Sequence, residues 1–97
     1  MLVIITERAE TDLLDICRFL GPSRTGERLV ADFERIIQDL RQFPNLGRTG
    51  HPLAGSKRAR TLFMGDYVMT YEVVDDRVFV RRILHGARDP ESFRSSL

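Results

Sequence analysis

The spacing of apolar residues changes once along this chain, and that change limits the folds it can adopt. Up to Phe43, apolar residues recur every three or four positions, as they do in amphipathic helices. From Arg60 to His85 they fall in short runs rich in valine, isoleucine and tyrosine, which is typical of strands. Helices followed by strands in a chain of 97 residues predict an α+β fold, in one domain over residues 1–97.

A strand and two helices are predicted in the first half. Leu2 to Ile5 is a short apolar run that favours a strand, and Thr6 can cap the helix behind it. Gly21-Pro22 ends that helix, and a second is predicted from about Thr25 to Phe43. Because the link is short, the helices should form an antiparallel hairpin. The second helix should bury an apolar stripe formed by Leu29, Phe33, Ile36, Leu40 and Phe43.

A long loop rich in glycine, proline and cations begins at Pro44. Three strands are predicted after it, Arg60 to Met64, Tyr67 to Val74 and Val78 to His85, joined by two-residue turns. The predicted architecture is therefore an N-terminal strand, an antiparallel two-helix hairpin and a three-stranded antiparallel meander, all strands forming one sheet.

Both faces of this sheet carry apolar side chains. Alternation groups Val78, Val80 and Leu84 on one face of the last strand, with Phe79 and Ile83 on the reverse. In the preceding strand, Tyr67, Met69, Tyr71 and Val73 share one face, whereas Val68 and Val74 lie on the other. Two helices cover one face, so the second is shielded either by the tail of the chain or by a protein partner.

Alternation also points Arg81 and Arg82 to opposite faces, so one of them must lie towards the helices and needs an acceptor. Asp12, Asp15 or Asp89 could supply it. This arginine therefore either forms an ion pair within the protein or serves as an anchor for an acidic partner.

Composition excludes several classes of protein. The net charge of +1 does not indicate a nucleic-acid binder, although residues 44–97 carry a net charge of +3. A single cysteine, Cys17, excludes an internal disulfide, and no His or Cys spacing suggests a metal site. No signal peptide or segment of bilayer length is present, so we expect a cytoplasmic protein with no membrane partner. We also expect neither a cofactor nor a metal.

Acid–base chemistry would centre on His85. Cleavage of RNA through the ribose 2′-OH needs a base, an acid and cations near the phosphorane. Arg60, Arg81, His85 and Arg88 could converge at the end of the sheet, but arginine cannot act as the base and Lys57 is the sole lysine. We therefore expect His85 to make a local hydrogen bond, for example to Asp89, rather than to catalyse.

Four segments resemble the ParE branch of the ParE/RelE toxin superfamily, from toxin–antitoxin operons. The resemblance covers about Ile4 to Asp89, and its carriers are AETDLLDICRFL, QDLRQFPNLGR, GDYVMTYEV and RILHGARD. It implies the RelE/ParE-like fold and a toxin neutralised by a ParD-like antitoxin, whose disordered segment folds over the toxin. The residues expected to bind the antitoxin are Leu13, Arg60, Phe63, Met69 and Arg81.

The same resemblance leaves two activities open. ParE-type toxins are associated with inhibition of DNA gyrase, whereas RelE-type toxins cleave mRNA on the ribosome. RelE-like nucleases cluster lysines and arginines with a tyrosine, or with a histidine–tyrosine pair, near the end of the last strand. Here Gly86 follows His85, no tyrosine follows Tyr71, and lysine is nearly absent. The expected function is therefore a non-catalytic gyrase inhibitor that does not bind nucleic acid directly. The alternative is a ribosome-dependent endoribonuclease using Arg60, Arg81, His85 and Arg88.

Overall fold

A computed structural model describes residues 1–86 of the chain, and within them lie two helices and one five-stranded sheet. The elements are β1 (Leu2–Ile5), α1 (Glu7–Leu20), α2 (Arg24–Gln42), β2 (Arg48–Thr49), a 3-10 turn (Pro52–Ala54), β3 (Arg60–Met64), β4 (Tyr67–Val74) and β5 (Arg77–His85). The strand order is β1-β5-β4-β3-β2, with β1 parallel to β5 and the other neighbours antiparallel. The predicted α+β architecture is confirmed, and β2 is an addition, since two residues are too few to show an alternating pattern.

Both helices begin at side-chain caps. The Thr6 hydroxyl accepts from the backbone N–H of Ala9 at 3.3 Å, and Ser23 does the same for Gly26 at 3.1 Å. Each satisfies one of the N–H groups that a first helical turn leaves without a partner. Gly21 ends α1 with a φ of +63°, a conformation that favours glycine.

The core lies between the helices and one face of the sheet. The members contributed by α2 are Leu29, Phe33, Ile36, Ile37 and Leu40. The sheet contributes Met64, Tyr67, Met69, Tyr71, Val78, Val80 and Ile83. The predicted stripe of the second helix is thus confirmed except at Phe43, which is 60% exposed. That prediction is wrong because α2 ends at Gln42, and Phe43 leaves the helical path with a φ of −127°.

A β-bulge in β5 changes which side chains face the core. Thr70 pairs with Arg82 whereas Tyr71 pairs with Val80, so Arg81 has no opposite residue in β4. The extra residue shifts the alternation by one, and Ile83 enters the core with 2% exposure. The predicted grouping of Leu84 with Val78 and Val80 is therefore wrong.

The sheet face away from the helices, called the outer face here, is partly covered by the loop between β2 and β3. The 3-10 turn lies against β4. The Ser56 hydroxyl donates to Glu72 Oε1 at 2.7 Å and accepts from the N–H of Ala59 at 3.1 Å, which fixes the loop in place. Val68 and Thr70 are almost fully buried on this face. The loop between β2 and β3 therefore covers part of the outer face, for which the sequence analysis expected either the tail of the chain or a partner.

Candidate partner-binding site

Arg60, at the start of β3, is occupied by the backbone of its own chain. One guanidinium nitrogen donates to the carbonyl of Gly47 at 2.7 Å and to that of Asn45 at 3.4 Å. The N–H of Gly47 donates in turn to the hydroxyl of Tyr71 at 2.7 Å. Burial raises the pKa of the Tyr71 phenol, more than the Gly47 hydrogen bond and the charge of Arg60 lower it. These contacts, called the Gly47 anchor below, hold the segment after α2 on the sheet.

Arg82 forms an ion pair that joins α1 to β5. Its guanidinium donates to Asp12 through Nε at 2.7 Å and through a terminal nitrogen at 3.3 Å. The same carboxylate accepts from the backbone N–H of Ile83 at 3.1 Å. Because β1 ends at Ile5, no strand within residues 1–86 pairs with this part of β5 on that side, and Asp12 provides the acceptor that a strand would have offered. The prediction that Arg81 or Arg82 needs an acceptor such as Asp12 is confirmed for Arg82, whereas Asp15 lies 3.7 Å from Arg18.

Arg81 lies on the outer face, as alternation from Phe79 requires. Because of the bulge, Arg82 lies opposite Thr70 and is on the outer side as well, so the prediction that the two arginines point to opposite faces is wrong. The guanidinium of Arg81 is 3.3 Å from Glu72 Oε2, and its carbon atom Cζ lies 5.7 Å from the centre of the Phe79 ring. The side chain is 49% exposed, so Arg81 is accessible to a partner while its charge is partly balanced.

His85 contacts Tyr67, a neighbour that was not predicted from the sequence. The rings of His85 and Tyr67 are 4.9 Å apart and nearly perpendicular. They border a cavity of about 250 Å³ between α1 and the end of β5. Its lining residues are Asp12, Asp15, Ile16, Phe19, Tyr67, Arg82, Ile83, Leu84 and His85. Among the described residues that line the cavity, two carboxylates face one arginine, an arrangement that does not favour a phosphate.

The three predicted nuclease residues that the structure describes, Arg60, Arg81 and His85, do not converge. Arg60 is opposite Tyr71, whereas His85 is opposite Tyr67, so about 13 Å of strand separates the two rows. Arg81 lies on the outer face, and Arg60 is tied to the Gly47 anchor. Arg88 and Asp89 lie outside the described residues.

The residues expected to bind an antitoxin differ in accessibility. Phe63 is 63% exposed on the outer face, and Leu13 is half-buried against the core. Met69 has no exposed surface and offers a partner nothing to contact, which corrects the expectation from the sequence. Phe63, Arg81 and the partly buried Leu13 and Arg60 remain as candidates.

Neither of the two helices in residues 1–86 is long and apolar enough to cross a membrane. Over the same residues, no group of three or more His, Cys, Asp or Glu side chains could hold a metal ion.

Two solved structures are similar to this fold. A chain of the chromosomal ParDE toxin–antitoxin system from P. aeruginosa has a TM-score of 0.70 and 24% sequence identity, covering 88% of this chain and 95% of that one. A chain of the RelBE2 toxin–antitoxin complex from Mycobacterium tuberculosis has a TM-score of 0.63 and 23% identity, covering 87% and 95%. The fold is therefore that of the ParE/RelE toxins. No curated protein matches the sequence significantly.

The sequence model for the ParE toxin of the type II toxin–antitoxin system parDE matches residues 3–90. The chain belongs to this family, as the four motif segments indicated.

Proposed function

We propose that this ParE-family toxin inhibits DNA gyrase by binding it, without catalysis, and that a cognate ParD-like antitoxin neutralises it. The observation that carries the proposal is that Arg60 and Arg81 lie away from His85, while Arg82, which lines the same cavity as His85, is already paired with Asp12. A nuclease must hold its base, its acid and its cations within reach of one phosphate. Here Arg60 binds carbonyl groups, Arg81 lies on the outer face and Arg82 is paired with Asp12.

One observation favours the alternative, a RelE-like ribosome-dependent endoribonuclease. His85 and Tyr67 form a histidine–tyrosine pair at the end of β5, and both groups can transfer protons. Arg82 is the cation among the described residues that line the cavity, and its Nε and one terminal nitrogen already donate to Asp12. Asp15 adds a second carboxylate to the same lining, so a phosphodiester placed there would meet more negative than positive charge.

Substitution of His85 by glutamine distinguishes gyrase inhibition from endoribonuclease activity. Glutamine keeps a hydrogen-bonding group but removes acid–base function. The gyrase proposal predicts that His85→Gln still blocks supercoiling by purified gyrase, and that induction in cells triggers the DNA damage response without cutting ribosome-bound mRNA. A nuclease that uses His85 would instead lose cleavage by about a hundredfold. The melting temperature of the variant serves as the folding control. Cleavage of mRNA by the parent protein, lost in the variant, would reject the gyrase proposal.

The antitoxin partnership is supported by the similar structures, both of which come from toxin–antitoxin systems. The exposed Phe63 ring and the accessible Arg81 suit a segment that folds on binding, and such contacts bury large areas. We expect a dissociation constant of about 1 nM or below. A calorimetric titration with the product of the neighbouring antitoxin gene measures it, and a failure to bind would end this part of the proposal.

A further inference from the structure

A cavity of about 390 Å³ lies between the start of α2 and the turn that joins β3 to β4. Its floor is formed by Leu29, Met64 and Tyr67, each at most 7% exposed. The cavity is therefore a recess in the surface, and its volume lies within the roughly 300–1,000 Å³ of pockets that bind small ligands. The residues of α2 and of the turn that line it take no part in the sites described above.

Two arginines of α2 form one wall of this cavity. Arg24 and Arg28 are four positions apart in the helix, so their side chains share a face. Both are exposed, and neither forms a salt bridge with any residue in the described part of the chain. Asp32, four positions after Arg28, lies 3.2 Å from Arg35 instead. The helix therefore brings two positive charges to the cavity without a carboxylate to balance them.

This arrangement of charges destabilises the helix when no ligand is bound. Like charges four residues apart repel each other, and cations near the N-terminus of a helix oppose its dipole. Arg24 is the first residue of α2, so both effects act on it. An anion between the two guanidinium groups would remove the repulsion. Phosphate suits the position because its oxygens can accept from both arginines and from the hydroxyl of Thr25, which also lines the cavity.

The opposite wall has the reverse character. Asp66, in the turn after β3, lines the cavity, is exposed, and forms no salt bridge with any residue from 1 to 86. An ionised carboxylate repels phosphate but accepts hydrogen bonds from hydroxyl and amino groups. The cavity therefore combines a wall for an anion, an apolar floor and a wall for hydrogen-bond donors. A matching ligand carries a phosphate at one end and donors at the other.

We propose that this cavity binds a small phosphate ester of the size of a nucleoside monophosphate. Arg24 and Arg28 bind the phosphate, and Asp66 accepts from a sugar hydroxyl or a base amino group. A small ligand fits better than a protein segment, because none of the exposed large apolar side chains in residues 1–86 lines the cavity and could anchor one. The site goes beyond gyrase inhibition and antitoxin binding and rests on neither.

The test titrates the full chain with adenosine monophosphate, guanosine monophosphate and inorganic phosphate in a calorimeter. Arg24→Gln and Arg28→Gln should each weaken binding of the monophosphates about tenfold, because each removes charged hydrogen bonds. Arg41→Gln, in the last turn of α2, changes the net charge equally and should bind as the parent does. Asp66→Asn should weaken the monophosphates about fivefold but should not weaken inorganic phosphate, because it removes an acceptor that repels phosphate.

Melting temperatures without ligand provide the folding control. Arg24→Gln should melt no lower than the parent, because it removes a repulsion rather than a contact. The proposal is rejected if both monophosphates bind more weakly than about 1 mM, or if Arg41→Gln loses as much affinity as Arg24→Gln. Inorganic phosphate that binds as tightly as the monophosphates would leave only an anion site and overturn the proposed ligand. A single-stranded oligonucleotide that binds more tightly through the same arginines would assign the cavity to a nucleic-acid backbone instead.

Discussion

Replacing Gly47 with alanine tests whether the Gly47 anchor stabilises the fold. A Cβ atom at this position would lie 2.7 Å from the carbonyl oxygen of Thr61 and 2.8 and 2.9 Å from Cε1 and the hydroxyl of Tyr71. Real Cβ atoms do not approach other atoms so closely, so the segment must move. Its movement lengthens the hydrogen bond to Tyr71 and the bond from Arg60, both 2.7 Å long.

The size of the effect follows from these contacts. Overpacking a tight site costs about 1–3 kcal/mol, and each weakened hydrogen bond adds about 1 kcal/mol. We expect Gly47→Ala to lower the free energy of unfolding by about 3–5 kcal/mol, a large share of the roughly 5–15 kcal/mol that domains possess. Urea unfolding followed by circular dichroism measures it.

Two further variants make the interpretation specific. Gly50 has a φ of +87° and open space around it, so Gly50→Ala reports only the backbone cost of about 1–2 kcal/mol. Tyr71→Phe removes the hydroxyl that accepts from Gly47, and its effect should not add fully to that of Gly47→Ala because both changes disrupt one hydrogen bond. The reasoning is refuted if Gly47→Ala costs no more than Gly50→Ala, or if the two effects at the anchor add.

Three other outcomes can be measured in the same way. Leu40→Ala should cost about 2–5 kcal/mol because the side chain is fully buried, whereas Leu14→Ala, at a position 49% exposed, should cost less than about 0.5 kcal/mol; equal costs would contradict the assigned helix faces. Asp12→Asn, which removes the charge that Arg82 binds, should cost about 1–3 kcal/mol, and a neutral effect would contradict a stabilising ion pair. Because the pKa of Tyr71 is raised above 10.0, the folded chain keeps a proton that the unfolded chain releases; stability should therefore fall as pH rises past that value, and the fall should be smaller in Tyr71→Phe.

Local signals predicted most of the fold. The cap at Thr6, the break at Gly21-Pro22 and the turn at Gly65-Asp66 each act within a few residues, and each lies where the sequence indicated. The strand β2 escaped prediction because nothing within two residues distinguishes it from the loop; what places it is pairing with β3, a long-range contact.

The site was harder to predict because it depends on register. Without the bulge at Arg81, the turn at Asp75-Asp76 would place Leu84 opposite Tyr67; with it, His85 takes that position. One extra residue thus creates the histidine–tyrosine pair and moves Ile83 into the core. The alternation of side chains predicted that one arginine needs an acceptor. It could not predict that the acceptor is Asp12, because that depends on the position of α1 beside β5.

The pairing of the first strand with the last has a consequence for how this toxin is made. β1 pairs with β5, and β5 lies between it and β4, so residues 2–5 have no place in the sheet until residues 77–85 exist. Val78, Val80 and Ile83 also supply part of the core. Contacts so distant in sequence form late. A chain whose synthesis stops before β5 therefore cannot complete either the sheet or the core, and the fold forms only when nearly all of residues 1–86 have been made.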